Sequence, residues 1–245
     1  MWIKFSFMDE TYLTKAIILD RQDWREYDSK LTLYSPAKGK IILVARGVKK
    51  LKSKLAGHLE PISLSQIMAI RGRQVDYIGS AVNIECFVGI KSDLDKINAA
   101  GDAIRIFNNI IKEGEADESI FNLLTEFLKI LDKAGKNYQL LKYFFILKLM
   151  SQLGYKPELY NCLKCKKRVS PANNYFDLSK GGLICQECNN NDNKKEILAI
   201  SSDGIKVLRL AVQSYLNKMT KLKIYNKLKN EVKNIISSFQ EYQIY

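Results

Sequence analysis

The sequence predicts an α+β chain in two parts, a small five-stranded β-barrel followed by an α-helical bundle that carries a four-cysteine knuckle. Three observations predict this. Residues 11–88 contain short runs in which apolar and polar residues alternate, separated by turn signals. From Ser92 onward the apolar residues recur every three or four positions, the period of an amphipathic helix. Two Cys-x-x-Cys pairs, at 162–165 and 185–188, then interrupt the helical half. The predicted domains are residues 1–88 and 89–245, with the knuckle inserted at about 160–190. A chain of 245 residues that is 47% apolar and 27% charged, with four prolines, has enough apolar material for two cores, which excludes collagen-like and disordered classes.

The strands follow in order. A first run covers 14–19, and a polar stretch to Asp28 leads into Leu31-Thr32-Leu33-Tyr34. The turn signal Ser35-Pro36-Ala37-Lys38-Gly39 then returns the chain through Ile41-Ile42-Leu43-Val44, which predicts a hairpin. Pro61 precedes an alternating run at 62–67, and Arg71-Gly72-Arg73 makes a turn before a last segment at 75–87. Five strands in fewer than 90 residues point to an oligonucleotide-binding barrel, which commonly pairs a basic groove with aromatic faces for single strands.

In the second part, Ser92 with Asp95 is the expected N-cap pair of a helix marked by Ile97, Ala100, Ile104, Phe107 and Ile111 and ended by Gly114. Ile120, Leu124, Phe127 or Leu128, and Leu131 mark a second helix. Leu140, Phe144, Leu147 and Met150 mark a third that stops at Gly154. Val207, Leu210, Tyr215 and Leu216, then Leu222, Leu228, Val232 and Ile236, predict two or three closing helices. Lysines and arginines 206, 209, 218, 221, 223, 227, 229 and 233 give this end a basic face, read as solvated or as an auxiliary nucleic-acid surface.

Several chemistries are disfavoured. One histidine, His58, excludes a two-histidine metal site and leaves a hydrolase triad a single possible base. Tyr34 and Ile41 stand where a phosphate-binding loop around Lys38-Gly39-Lys40 would need glycine and serine or threonine, and no dinucleotide fingerprint is present. The chain is therefore not expected to be an enzyme. Apolar runs such as 143–147 are too short to span a membrane, which takes about 20 residues. Residues 1–10 lack the apolar core and cleavage site of a signal peptide, so a cytoplasmic location is expected.

In a reducing compartment, cysteines are read first as ligands. Cys162, Cys165, Cys185 and Cys188 offer two knuckles whose four thiolates close a tetrahedral shell, so a structural zinc ion is expected. Glycines 181 and 182 suit the close turn, and Lys164, Lys166, Lys167 and Arg168 favour thiolates. Cys86, alone in an apolar stretch, is read as a small core residue.

The charge is as informative as the cysteines. Thirty-nine lysines and arginines against 26 acidic residues leave +13, which favours a polyanionic partner. No acidic residue occurs between Asp28 and Glu60, while Lys30, Lys38, Lys40, Arg46, Lys49, Lys50, Lys52 and Lys54 fall there. Five of these eight lie in the glycine-bearing segment 46–54, suited to following a phosphate backbone, and Arg71 and Arg73 flank the later turn. Tyr27, Tyr34 and Tyr77 are candidate stacking faces or core residues.

These residues together resemble the RecO family of bacterial DNA repair proteins. The resemblance rests on Lys15-Ala16-Ile17-Ile18-Leu19, Leu31-Thr32-Leu33-Tyr34 and Ala45-Arg46-Gly47, then Ser53-Lys54-Leu55-Ala56-Gly57-His58-Leu59-Glu60-Pro61. It continues through Gly154-Tyr155-Lys156-Pro157 to the first cysteine pair and Gly181-Gly182-Leu183-Ile184-Cys185. It implies a protein that binds single- and double-stranded DNA, anneals complementary strands and, with RecR, helps RecA replace single-strand-binding protein without using ATP. It further implies a site for the acidic, apolar tail of single-strand-binding protein on the helical domain. The same match carries over Arg46, Lys49, Lys50, Lys52 and Lys54 as a DNA-facing loop, with Lys54 where the family commonly has arginine. The full expected DNA-binding set is Lys40, Arg46, Lys49, Lys50, Lys52, Lys54, Arg71 and Arg73. Two other readings fit the same charge and cysteines, an RNA- or ribosome-associated zinc-knuckle protein and an assembly scaffold for acidic proteins.

Overall fold

The computed structural model describes residues 11–135, 138–170, 173–189 and 196–244; the N-terminal segment read above for a signal peptide lies outside them. Packing divides the chain into two compact units, Met1–Asp132 and Lys133–Tyr245.

In the first unit, strands β1 (Thr11–Asp23), β2 (Ser29–Ser35), β3 (Gly39–Ala45), β4 (Ser63–Ile70) and β5 (Asp76–Glu85) close into a barrel in the order β1-β2-β3-β5-β4. All pairings are antiparallel except β3 with β5, where Leu43 faces Asp76 and Val44 faces Tyr77. The predicted five-stranded barrel is thus present. The strands alternate because one face must fill the barrel. Ala16, Ile18, Leu31, Leu33, Leu43, Ala45, Ile67, Ala69 and Ile78 form a buried core there. Ile17 and Leu19 on the other face of β1 are buried too; helix α2 (Leu94–Ile110) packs on this strand. Closure removes the unpaired edges that an open sheet would expose.

Short α1 (Val88–Lys91) and long α2 and α3 (Glu118–Lys133) complete this unit. The N-cap of α2 differs from the expected Ser92: the carboxylate of Asp93 accepts the Asp95 and Lys96 N–H groups at 3.0 and 3.2 Å. Asp117 caps α3 in the same way through Ser119 and Ile120. Gly114 (φ +78°) turns the chain four residues after α2 ends at Ile110 and does not itself end the helix. Tyr34 is fully buried, edge-on to Phe107 with ring centroids 4.9 Å apart, and burial pushes its hydroxyl pKa up to about 12. It is a core residue and offers no stacking face.

In the second unit, α4 (Leu141–Gln152), α5 (Ser202–Gln213), α6 (Leu216–Met219) and α7 (Asn226–Ile244) pack together. Leu228, Val232, Ile235, Ile236 and Phe239 form the inward face of α7. Leu210 and Tyr215, expected on an inward stripe, are 42% and 70% exposed: Leu210 lies off the buried face of α5, which is formed by Ile205, Val207, Leu208 and Ala211, and Tyr215 follows the end of that helix at Gln213. An unpredicted three-stranded sheet of β6 (Asn174–Asp177), β7 (Gly182–Ile184) and β8 (Ile197–Ile200) joins the knuckle to the bundle, with Phe176 edge-on to Phe239 at 5.3 Å. No helix among the described residues is long and apolar enough to cross a membrane.

Candidate nucleic-acid interface and metal centre

The basic segment after β3 is anchored at both ends. Val48 and Leu59 are 1% and 0% exposed in the barrel core, with Leu55 and Ala56 packed against it, so residues 49–54 project from a fixed base. Gly47 (φ +63°) makes the entry turn, its N–H donating to Asp28 Oδ1 at 2.8 Å. The Lys49 N–H donates to the Tyr27 carbonyl at 3.0 Å, and the Lys49 ammonium lies 3.3 Å from Asp23. These three links join the basic loop to the β1–β2 turn. That turn is closed by the Trp24 N–H donating to the Asp28 carbonyl at 3.2 Å.

Along this edge, cations sit over aromatic rings. Lys30 Nζ is 5.5 Å from the Trp24 ring, Lys50 Nζ is 5.5 Å from Tyr27, and the Arg46 guanidinium is 3.5 Å from Tyr77. Tyr77 also meets the β4–β5 turn, since a Cβ at Gly72 would lie 2.8 Å from its ring. The β1–β2 turn, the end of β3 with its basic loop, and the Arg71–Arg73 turn therefore form one cationic edge of the barrel. Trp24 and Tyr27 are 49% and 46% exposed, and Arg46, Lys50, Lys52, Lys54, Arg71 and Arg73 are exposed. Such an edge presents phosphate-binding charges beside faces on which bases can stack.

The structure does not bring Lys40 into this set. Lys40 is six residues from Arg46 at the other end of β3, roughly 20 Å away at the rise of a strand. Its ammonium donates to the Asn108 carbonyl of α2 at 2.7 Å, so Lys40 is a packing residue of the first unit. Lys49 belongs to the edge, with its charge partly offset by Asp23. Sequence reading missed Trp24. The signal for Trp24 was present, a large aromatic residue in the otherwise polar stretch from Asp20 to Asp28. His58 accepts the Asn83 N–H on Nδ1 at 3.3 Å and its carbonyl accepts the Ser65 hydroxyl, which is a structural role. Cys86 is only half-buried, not the core residue expected, because it lies just past the end of β5.

The four knuckle cysteines converge. Their sulfurs all lie within 4.8 Å of one another, and Cys165 Sγ is 3.9 Å from Cys185 Sγ. A tetrahedral ion with metal–sulfur bonds of about 2.3 Å would set sulfurs about 3.8 Å apart, far beyond a disulfide bond. The donor set fits a closed, tetrahedral, structural ion and leaves no open position. The chain builds it from two turns. Lys166 (φ +62°) closes the first, with its N–H donating to the Cys162 carbonyl at 2.9 Å, and the Cys188 N–H donates to the Cys185 carbonyl at 3.1 Å in the second. Leu163 N–H to the Leu183 carbonyl at 2.8 Å holds the turns together. Gly182 is required, since a Cβ would lie 2.9 Å from the Glu158 carbonyl.

The thiols are poised unequally. Burial of Cys162 opposes its ionisation, but N–H groups of Cys185, Cys165 and Lys164 donating to its sulfur outweigh this and bring it down to about 6. Burial pushes Cys185 up, and hydrogen bonding to Cys185 raises Cys188 to about 12. Hydrogen bonds from its neighbours thus favour the Cys162 thiolate, while the raised thiols of Cys185 and Cys188 hold their protons until a cation displaces them.

In the second unit, a pocket of about 470 Å³ is lined by Leu140, Phe144, Met219, Leu222 and Ile224 with Lys223 and Lys229 beside them. Of the C-terminal basic residues, Arg209 is engaged by the Leu159 carbonyl at 2.9 and 2.6 Å, and Lys206 by Asp203 at 3.0 Å. Lys218, Lys221, Lys223 and Lys227 are exposed.

Two family models together span most of the chain, meeting near residue 89 inside the first compact unit. Residues 8–87 match the family model described as recombination protein O N terminal, and residues 91–245 match recombination protein O C terminal. The chain is 33% identical over 233 residues to DNA repair protein RecO of Desulforamulus reducens, covering 95% of this chain and 90% of that one. It is 34% identical over 221 residues to DNA repair protein RecO of Dehalococcoides mccartyi strain CBDB1, covering 90% and 86%. It is 30% identical over 231 residues to DNA repair protein RecO of Roseiflexus sp. strain RS-1, covering 94% and 80%.

Proposed function

We propose, from the premise that this chain belongs to the RecO family of DNA repair proteins, that it is a non-enzymatic recombination mediator and strand-annealing protein. It binds single- and double-stranded DNA through the cationic edge of its barrel and helps RecA load onto DNA covered by single-strand-binding protein. The observation that carries this reading is the joining of the 46–54 loop to the Trp24–Asp28 turn, which sets lysine and arginine charges beside exposed rings. Phosphate contacts of this kind bind with little base preference and lower the repulsion between two strands. The working set is Arg46, Lys49, Lys50, Lys52, Lys54, Arg71 and Arg73, carried by residues 1–88 as the DNA-binding domain.

The four cysteines hold Zn²⁺, which stabilises the knuckle and takes no part in chemistry. The pocket lined by Phe144, Met219, Leu222 and Ile224 suits the apolar end of an acidic tail, and Lys223 and Lys229 suit its carboxylates. We place the tail of single-strand-binding protein there, with RecR as the further partner and the bacterial cytoplasm as the setting. Tethering the coat protein at one site while DNA occupies another raises the local concentration of strands.

The test is the annealing rate of complementary strands coated with the cognate single-strand-binding protein, intact or lacking its tail. Tail-dependent acceleration without ATP is expected, and Lys223→Glu with Lys229→Glu should abolish the tail dependence while leaving annealing of naked DNA intact. Absence of acceleration with either coat, together with tighter binding to structured RNA than to single-stranded DNA, would overturn the reading.

A further inference from the structure

We propose that Leu51 is a base-inserting side chain, which enters between adjacent bases and unstacks them when the loop around it grips the phosphates. The inference rests on the DNA-binding reading of the barrel edge and goes beyond it, because it assigns the edge a preference for single strands and open ends. Leu51 is 106% exposed, the most exposed of the large apolar residues in the described chain. It is nonetheless held in place. The Lys50 N–H donates to the Gly47 carbonyl at 3.1 Å and the Ser53 N–H to the Lys50 carbonyl at 2.9 Å, two turns that bracket it at the tip. Val48 and Leu59 in the core fix the base of the same loop, so little ordering remains to be done on binding.

The surroundings indicate what covers this leucine. Lys49, Lys50, Lys52 and Lys54 flank it, no acidic residue lies between Asp28 and Glu60, and Lys50 sits over the exposed Tyr27 ring. An apolar tip among cations matches a polyanion whose charges alternate with flat apolar faces, which describes a nucleic-acid strand. Apolar wedges that part a base step beside lysine or arginine contacts are a recognised way to bend or open it. An anionic membrane presents similar charge, but one leucine buries too few methylenes to hold a protein on a bilayer, where even a single acyl chain binds marginally. In duplex DNA the insertion must also break stacking between paired bases, a cost that single strands and frayed ends largely avoid. A protein that anneals strands gains from this bias, since it releases the finished duplex more readily than the separated strands.

The experiment uses the full chain and DNA carrying 2-aminopurine, whose fluorescence rises when the base is unstacked. Wild-type protein and Leu51→Met are expected to raise the signal in single strands. Leu51→Ala is expected to lose the rise and to bind single strands about 3- to 10-fold more weakly, with duplex affinity and salt dependence unchanged because no charge is removed. An unaltered melting temperature shows that the exposed substitution leaves the fold intact. The same fluorescence rise and the same ratio of single- to double-strand affinity in Leu51→Ala would overturn the insertion while leaving the DNA-binding reading in place. Failure of the wild-type protein to bind DNA at all would overturn both. Binding to phosphatidylglycerol vesicles that Leu51→Ala abolishes, with DNA behaviour untouched, would overturn it in favour of a membrane contact.

Discussion

Replacing Lys50, Lys52 and Lys54 together by alanine removes three exposed charges from the barrel edge without disturbing its base, because Val48 and Leu59 remain in the core. Lys49 is deliberately kept, since its pairing with Asp23 at 3.3 Å would confound the reading by freeing a carboxylate. Each lysine that neutralises a phosphate of a single strand adds about 0.7 to the slope of log affinity against log salt, so three of them account for about 2. Between about 50 and 200 mM salt, a fourfold change, that slope corresponds to about a 20-fold difference in how strongly salt weakens binding. The triple variant is therefore expected to lose most affinity at low salt and to converge toward the wild type as salt rises. Fluorescence anisotropy with a labelled oligonucleotide over a salt series measures both lines. Parallel lines would refute the reasoning, because they would mean that these lysines displace no counterions from the DNA.

Other expected outcomes concern the stacked arginine, the metal and a single glycine. Arg46→Lys keeps the charge but loses the planar stack over Tyr77, so it should weaken single-strand binding, though less than Arg46→Ala, which removes the charge as well, and full rescue by lysine in the same titration would sink that view. Cys162→Ser, or chelation of the metal, should lower the melting temperature of the second unit, and equal melting with metal retained would count against a structural ion. Zinc loading near neutral pH should release protons from Cys185 and Cys188, whose ordinary values are raised, as read by a pH indicator. The Cys162 thiolate, favoured in the fold, should contribute fully above its unfolded value near 9 and lose that contribution as pH falls through about 6. Gly39→Ala forces a side chain at φ +67° against the Glu115 carbonyl, so chemical denaturation should show a loss of about 1–3 kcal/mol. An unchanged denaturation midpoint would show that the β2–β3 turn relaxes freely.

What the sequence alone determined about this protein is what local spacing can encode. Alternation placed five strands within a few residues of β1 to β5, the change of period at Ser92 located the helices, and two Cys-x-x-Cys pairs named the four cysteines whose sulfurs converge. The acid-free stretch between Asp28 and Glu60 pointed to the basic loop because five of its charges fall within the short segment 46–54. Short-range choices among near-equivalent residues were less legible. Ser92 and Asp93 are both good caps, and only the backbone path selects the aspartate.

Tertiary structure decided which distant groups meet. Lys40 and Arg46 lie six residues apart on one strand, yet they occupy opposite ends of it, and only the packing of α2 reveals that Lys40 is engaged by Asn108. Tyr34 and Tyr77 look alike in sequence, but one is buried against Phe107 and the other carries Arg46. The physical reason is barrel closure. Pairing β3 in parallel with β5 brings Val44 beside Tyr77 across 33 positions of chain, and the Asp28, Tyr27 and Asp23 links bring a turn of β1–β2 to the loop after β3. A contact of that separation is selected by the summed packing of the whole barrel, so no window of sequence around Trp24 or Leu51 contains it.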